Sequence, residues 1–263
     1  MPCSLDSLLD VAKRLRLTPM IRYAMELEQD VTTANLSHAE YLAKSLHCEC
    51  ERRDEEALKR RLQQANFRYA DACIARVDWN ADRQINRSLL DTLASNDYIR
   101  FHQNVIITGA TGCGKTWLAD ALGHTACLAG FRVKRYRVAQ MLKEYERLCT
   151  ENTSVGRRQY LSSLGKLDLL ILDDWGIGQL DDDKRFSRYE IIENHMQHGS
   201  FIVTSVLPVK QWNEYLNDAL MADSILDRLV LNSHRLVLQG NSMRSRPEYG
   251  GLPKNDTEVQ RLI

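Results

Sequence analysis

The chain has 263 residues, which suggests one full α/β domain and a smaller neighbour, because domains usually contain ~100–200 residues. Hydrophobic residues make up 44% and charged residues 27%, with only 13 Gly and 5 Pro, so the composition excludes a disordered or fibrous protein. The formal net charge is zero, from 35 basic and 35 acidic residues, which excludes a uniformly basic surface for binding polyanions.

The sequence also predicts the compartment of the protein. No uncharged apolar stretch approaches the ~18–20 residues that cross a bilayer, and the first residues lack a basic and then apolar signal. The seven cysteines are an odd number spread through helical sequence, which favours reduced thiols over a disulfide framework. We therefore expect a cytoplasmic protein that does not engage a membrane.

Residues 1–76 predict a small all-α domain, because apolar residues recur there at helical spacing. Ser37 is followed three residues later by Glu40, a capping-box pattern that predicts the start of a helix. The helical signal weakens around residues 77–82, so we place the domain boundary between 76 and 77. We expect the N-terminal domain to serve assembly or partner binding.

Residues 77–245 predict an α/β domain in which strands alternate with helices. The expected strands are 104–108, 131–136, 169–172, 201–205 and 235–239, and the expected helices are 115–129, 138–149, 157–164, 184–197, 209–216 and 219–231. This alternation predicts a parallel sheet with helices on both faces. Residues 246–263 are expected to form a flexible tail.

A phosphate-binding pattern, G-x-x-x-x-G-K-[ST], lies between the first strand and the first helix of this domain. It reads Gly109-Ala110-Thr111-Gly112-Cys113-Gly114-Lys115-Thr116, followed by Trp117. In such a loop the backbone N–H groups and the helix N-terminus surround phosphates. Lys115 is expected to neutralise the β- and γ-phosphates, and Thr116 to offer its hydroxyl to Mg²⁺. The pattern therefore predicts a site for ATP and Mg²⁺.

Two carboxylates follow the apolar strand 169–172, namely Asp173 and Asp174. Together with the phosphate loop, this pattern predicts that Asp173 holds Mg²⁺ and that Asp174 polarises the attacking water. Taken alone, the pair is equally consistent with a capped strand end before the turn at Trp175-Gly176.

Two further elements bear on catalysis in an assembly. The strand 201–205 ends in Thr204 and Ser205, and either hydroxyl could sense the γ-phosphate. The helix 219–231 carries Arg228, which is placed to reach a neighbouring subunit as an arginine finger. An Asp–Arg pair on the helix surface explains the same spacing equally well.

Residues 130–166 carry nine basic against three acidic residues, a local excess of positive charge. Lys143, Arg147, Arg157 and Arg158 lie on the expected helices of this region. We predict that they bind DNA phosphates with low sequence specificity. The alternative is that these side chains form the solvent-exposed faces of the helices and pair with the acidic residues of 167–199.

These segments together resemble the IstB family of insertion-sequence transposition helper ATPases, relatives of the DnaC-type helicase loaders in the AAA+ class. The resemblance covers nearly the whole chain. It includes LRLTPMIRYAMELEQD, GATGCGKTWLADALGHTACLAGFRV, LLILDDWG, FIVTSVLP, ILDRLVLNSHRLVLQG and NSMR. The most family-specific segments are ALGHTAC and ILDRLVLNSHR with NSMR.

The resemblance implies an AAA+ P-loop ATPase core with little or no C-terminal lid. Arg244 is then the nearest candidate for a second sensor. The implied activity is ATP hydrolysis stimulated by DNA and by homo-oligomer formation on double-stranded target DNA, which is presented to the transposase of the same element. Many family members carry Glu at the position of Asp174. The aspartate side chain is shorter than glutamate and reaches less far towards the attacking water.

Three alternatives to a transposition helper remain open from the sequence. A DnaC-like replicative helicase loader would share the ATPase core but hand a ring helicase to DNA. A small-molecule kinase would need an acceptor pocket and a mobile lid, for which the sequence carries no sign. A nucleotide-gated scaffold would bind ATP and barely hydrolyse it.

Overall fold

The computed structural model describes residues 5–33, 35–80, 83–150, 154–178 and 180–243. The chain divides into two compact units, Met1–Arg60 and Arg61–Ile263. This division lies closer to the N-terminus than the boundary predicted at 76/77. The reason is that residues just after position 60 are anchored in the second unit. The buried carboxylate of Asp120 accepts hydrogen bonds from the backbone N–H groups of Arg68 and Tyr69, each at 2.9 Å.

The first unit is helical in its described residues, as the sequence predicts. It contains α1 (Leu5–Leu15), α2 (Thr18–Gln29) and the start of α3 (His38–Ala65), with a short 3₁₀ turn at Val31–Thr33. The predicted capping box is confirmed: the Ser37 N–H donates to the Glu40 carboxylate at 2.8 Å, and the Glu40 N–H donates to the Ser37 hydroxyl at 3.3 Å.

A five-stranded parallel sheet forms the centre of the second unit, which confirms the predicted fold class. Its strands are β1 (Asn104–Gly109), β2 (Val133–Arg137), β3 (Leu169–Trp175), β4 (Ser200–Ser205) and β5 (Ser233–Leu238). Their order is β2-β3-β4-β1-β5, and every neighbouring pair is parallel. All five strands therefore end at the same edge of the sheet.

Helices connect and cover these strands. They are α4 (Arg87–Ala94), α5 (Asp97–Arg100), α6 (Lys115–Leu128), α7 (Val138–Thr150), α8 (Ser154–Leu164), α9 (Asp182–Met196), α10 (Trp212–Leu216) and α11 (Ala219–Val230), with 3₁₀ turns at Ile74–Arg76 and Val209–Gln211. The sequence did not predict α4 and α5. Helices this short have little stability of their own and depend on tertiary packing, here the burial of Leu90, Leu93 and Ile99.

The two faces of the sheet have different neighbours, because successive side chains of a strand point to opposite sides. Ile106, Leu172 and Val203 belong to the large core formed with α7, α9, α10 and α11. The opposite face meets α6, where Gly123 leaves room for the side chain of Ile171. Asp173 shares this second face with Ile171, so it lies towards the helix that follows the phosphate loop.

Candidate nucleotide-binding site

The phosphate-loop pattern forms the predicted turn between β1 and α6. Lys115 is the first residue of α6, and its ammonium group donates to the carbonyl oxygens of Gly109, at 2.9 Å, and Ala110, at 2.7 Å. The N–H groups of the first turn of a helix lack partners within the helix and form an anion-binding site. The loop thus places a lysine and a helix N-terminus together at the carboxyl edge of the sheet.

Asp173 lies at the centre of a buried hydrogen-bond network. Its Oδ1 accepts from the hydroxyl of Thr116 at 2.8 Å and from the hydroxyl of Thr204 at 2.6 Å, while its Oδ2 pairs with Arg135. The side chain of Asp173 is fully buried. Three segments that are far apart in the sequence therefore meet at one carboxylate.

The Thr116 hydroxyl and the Asp173 carboxylate are a suitable donor set for Mg²⁺, which prefers oxygen ligands and retains several waters. Their oxygens lie 2.8 Å apart, on the side of the carboxylate that faces the phosphate loop. The predicted metal residues therefore lie next to each other and have the oxygen chemistry that suits the ion.

The two candidate sensor hydroxyls occupy different environments. Thr204 contacts Asp173 directly, and its Oγ1 also accepts from the backbone N–H of Asp174 at 3.2 Å. The Ser205 hydroxyl instead donates to the carbonyl of Trp175 at 2.7 Å and accepts from the N–H of Leu207 at 3.0 Å. The structure brings Thr204, and not Ser205, to the carboxylate network.

Asp174 has an unusual backbone conformation, with φ at +62°, at a register shift in the pairing of β3 with β4. A non-glycine residue rarely adopts this left-handed conformation. The side chain of Asp174 has a different partner from those of Asp173. Its carboxylate accepts a hydrogen bond from Nε of Arg137, at the end of β2, at 2.8 Å.

Arg135 and Asp120 complete the buried charge cluster, and the sequence analysis did not find them. Arg135 pairs with Asp173, and its Nε lies 3.5 Å from the carboxylate of Asp120 on α6. Burial raises the pKa of Asp120 to about 6. The hydrogen bond from the Tyr69 N–H and the charge of Arg135 lower this pKa, but burial has the larger effect. A signal was present in β2, because Arg135 occupies an inward position two residues after buried Val133.

Arg228 forms contacts within its own subunit. Its Nε lies 2.5 Å from the carboxylate of Glu193 on α9, and its Nη1 donates to the carbonyl of Ser224 at 2.8 Å. The guanidinium also lies 5.6 Å from the ring centre of Tyr189. A role in a neighbouring subunit would therefore require the ion pair with Glu193 to open.

The four residues predicted to bind DNA are exposed on neighbouring helices. Lys143 and Arg147 lie one turn apart on α7, and Arg157 and Arg158 are adjacent on α8. The two helices pack through Tyr145 and Tyr160, whose ring centres are 5.8 Å apart. The four basic side chains are therefore exposed on two helices that pack against each other. Arg244 and the predicted tail lie outside the described residues.

The parallel sheet, its strand order and the loop after β1 define a P-loop core with the fold of the AAA+ class. The sequence profile described as IstB-like ATP binding protein matches residues 10–249, and the chain belongs to this family. None of the helices in the described part of the chain is long and apolar enough to cross a membrane.

Relatives with related names cover nearly the whole chain. The insertion sequence ATP-binding protein y4uH of Sinorhizobium fredii is 39% identical over 236 residues, which are 90% of this chain and 94% of that protein. The insertion sequence IS21 ATP-binding protein of Pseudomonas aeruginosa is 27% identical, over 94% of this chain and 92% of that protein.

Two solved structures share the fold. AMPPCP-bound DnaA from Aquifex aeolicus has a TM-score of 0.54 at 16% identity, covering 68% of this chain and 54% of DnaA. DnaI has a TM-score of 0.51 at 20% identity, covering 64% of this chain and 91% of that structure. At these identities the similarity concerns the fold alone.

Proposed function

We propose that the protein is an ATP-dependent helper of a transposase. It oligomerises on double-stranded target DNA, hydrolyses ATP with Mg²⁺ and stimulates the use of that DNA in transposition in the cytoplasm. The observation that carries the ATPase proposal is the contact of Thr116 and Thr204 with the buried Asp173 beside the phosphate loop. The insertion-sequence names of the relatives support the link to transposition.

In the proposed reaction, residues 109–117 surround the phosphates with backbone N–H groups. Lys115 leaves the carbonyl oxygens of Gly109 and Ala110 and neutralises the β- and γ-phosphates. Thr116 and Asp173 would hold Mg²⁺, which would supply positive charge to the phosphate oxygens.

Water activation falls to Asp174 in this proposal, and Thr204 links the metal carboxylate to the backbone at Asp174. Arg228 is the candidate for stabilising the transferring phosphoryl group from a neighbouring subunit. For that role, the ion pair between Arg228 and Glu193 has to open when the subunits assemble.

Phosphate release measured with and without duplex DNA tests the proposed ATPase. Lys115→Ala should abolish ATP binding, whereas Asp174→Asn should retain binding and lower turnover by ~10²–10⁴-fold. If duplex DNA alone stimulates the wild type, a helicase loader that needs its helicase is excluded. Wild-type turnover in Asp174→Asn would remove Asp174 from the mechanism, and no duplex stimulation at all would contradict the proposed helper.

The proposed DNA surface is tested by reversing Arg157 and Arg158 to Glu. Phosphate contacts are electrostatic, so affinity for duplex DNA in ATP should fall by about tenfold or more and depend less steeply on salt. A matched control reverses the exposed Arg76 and Arg100, which lie on the 3₁₀ turn Ile74–Arg76 and on α5. Unchanged affinity in the first variant across a salt titration would reject the surface.

A further inference from the structure

Arg83 is a buried cation that lies outside the phosphate-loop motif. The residue is only 4% exposed, and it precedes α4 in the segment that leads to β1. The guanidinium Nη2 donates to the carbonyl of Asp78 at 2.7 Å. The backbone of Arg83 is also fixed, because its carbonyl accepts from the N–H of Gln239, just after β5, at 3.0 Å.

The guanidinium of Arg83 lies directly against the phosphate loop. A Cβ atom added to Gly114 would stand 3.2 Å from Nη1 of Arg83. Gly114 has φ at +97° and caps the N-terminus of α6, the helix whose first residue is Lys115. The left-handed backbone favours a glycine here, and a larger residue would also crowd the arginine.

We propose that Arg83 is a further nucleotide-binding residue, which supplies a second positive charge to the phosphates held by residues 109–116. The proposal rests on the nucleotide binding proposed above. Opposite charges attract more strongly in a buried site than in water, so a guanidinium held against the loop favours bound phosphate. An arginine that is fixed beside the loop before ATP arrives loses little conformational entropy on binding.

Equilibrium titration of ATP to Arg83→Gln and Arg83→Lys tests this role in the full chain. Arg83→Gln keeps a side chain that can donate to Asp78 but loses the charge, so its Kd for ATP should rise by about tenfold, or about 1.4 kcal/mol. Arg83→Lys retains the charge and should recover most of this loss. Arg87→Gln is the control, because Arg87 is exposed and lies over the ring of Trp79.

Thermal unfolding without nucleotide separates this role from a structural one. We expect Arg83→Gln to unfold near the wild-type temperature. The proposal is overturned if Arg83→Gln binds ATP with wild-type affinity. It is also overturned if Arg83→Gln and Arg83→Lys lose the same affinity for ATP and both unfold at a lower temperature than the wild type. Lys115→Ala is titrated in parallel: wild-type affinity there would reject nucleotide binding by the loop itself, which is a separate failure.

Discussion

Arg137 holds the carboxylate of Asp174 at 2.8 Å, across the ends of β2 and β3. The left-handed backbone at Asp174 aims its side chain at this partner, while Asp173 faces the phosphate loop. The guanidinium side chain of Arg137 is about half exposed, at 52%. An exposed pair of this kind contributes about 1 kcal/mol or less, so a rearrangement of Asp174 has a low cost.

Releasing Asp174 should raise basal turnover. We expect Arg137→Ala to increase ATP hydrolysis without DNA by up to about fivefold, because loss of a restraint of about 1 kcal/mol corresponds to that factor in rate. Steady-state phosphate release measures the change. Arg132→Ala is the control, since it breaks the Arg132–Asp168 pair just before β2. A fall in turnover would show that Arg137 assists Asp174 instead of restraining it.

The two hydroxyls at the end of β4 should separate into a functional and a structural one. Thr204→Val keeps the shape but removes the hydroxyl between Asp173 and the N–H of Asp174, so turnover should fall by about 10²-fold. Ser205→Ala leaves the buried carbonyl of Trp175 without its donor and should reduce the free energy of unfolding by about 1–3 kcal/mol. Kinetics and urea unfolding of both variants check this, and the reverse pattern would contradict it.

Arg228 and Glu193 should stabilise the isolated subunit. Arg228→Ala leaves Glu193 without its guanidinium partner, so we expect a lower thermal unfolding midpoint in the absence of nucleotide. An unchanged midpoint would show that the ion pair contributes little to folding.

Mixing experiments address the finger proposed for Arg228. If it acts in trans, Arg228→Ala subunits combined with Lys115→Ala subunits should recover part of the turnover, because one supplies the site and the other the arginine. Each variant alone is the control. If mixed assemblies are confirmed but turnover is not recovered, Arg228 does not act in trans and keeps only its contacts within its own subunit.

Asp120 should make stability depend on pH. Burial raises the pKa of its carboxyl to about 6 from an ordinary value of 3.8, so the folded chain binds this proton more tightly than the unfolded chain. The resulting stabilisation is complete below about pH 4 and is lost as the pH rises through about 6. Relative to Asp120→Asn, the wild type should lose about 2 kcal/mol of unfolding free energy between about pH 4 and about pH 7.

Urea unfolding at both pH values measures this loss. Asparagine retains an oxygen that can accept from the N–H groups of Arg68 and Tyr69, so Asp120→Asn tests the charge and not the hydrogen bonds. Asp91→Asn, on the exposed side of α4, should follow the wild type. An equal loss in wild type and Asp120→Asn would contradict the prediction.

Much of the local structure was determined by the sequence itself. The loop from Gly109 to Thr116 and the capping box of Ser37 and Glu40 are short patterns whose partners lie within a few residues. Each strand and each helix has its own hydrophobic period, which can be read from neighbouring residues in the sequence. The alternation of strands with helices then predicts a parallel sheet before any long-range contact is known. Short helices such as α5 escape prediction because they depend on what packs against them.

The choice among candidate side chains was decided by the tertiary structure. Thr204 and Ser205 are equivalent candidates in the sequence, but neighbouring residues of a strand face opposite sides. In the folded sheet Thr204 is the one that contacts Asp173, the carboxylate that also binds Thr116 of α6. Arg83 likewise gains its place beside Gly114 through its bond to the end of β5. The strand order and helix packing bring such distant residues together, and local propensity contains no information about either.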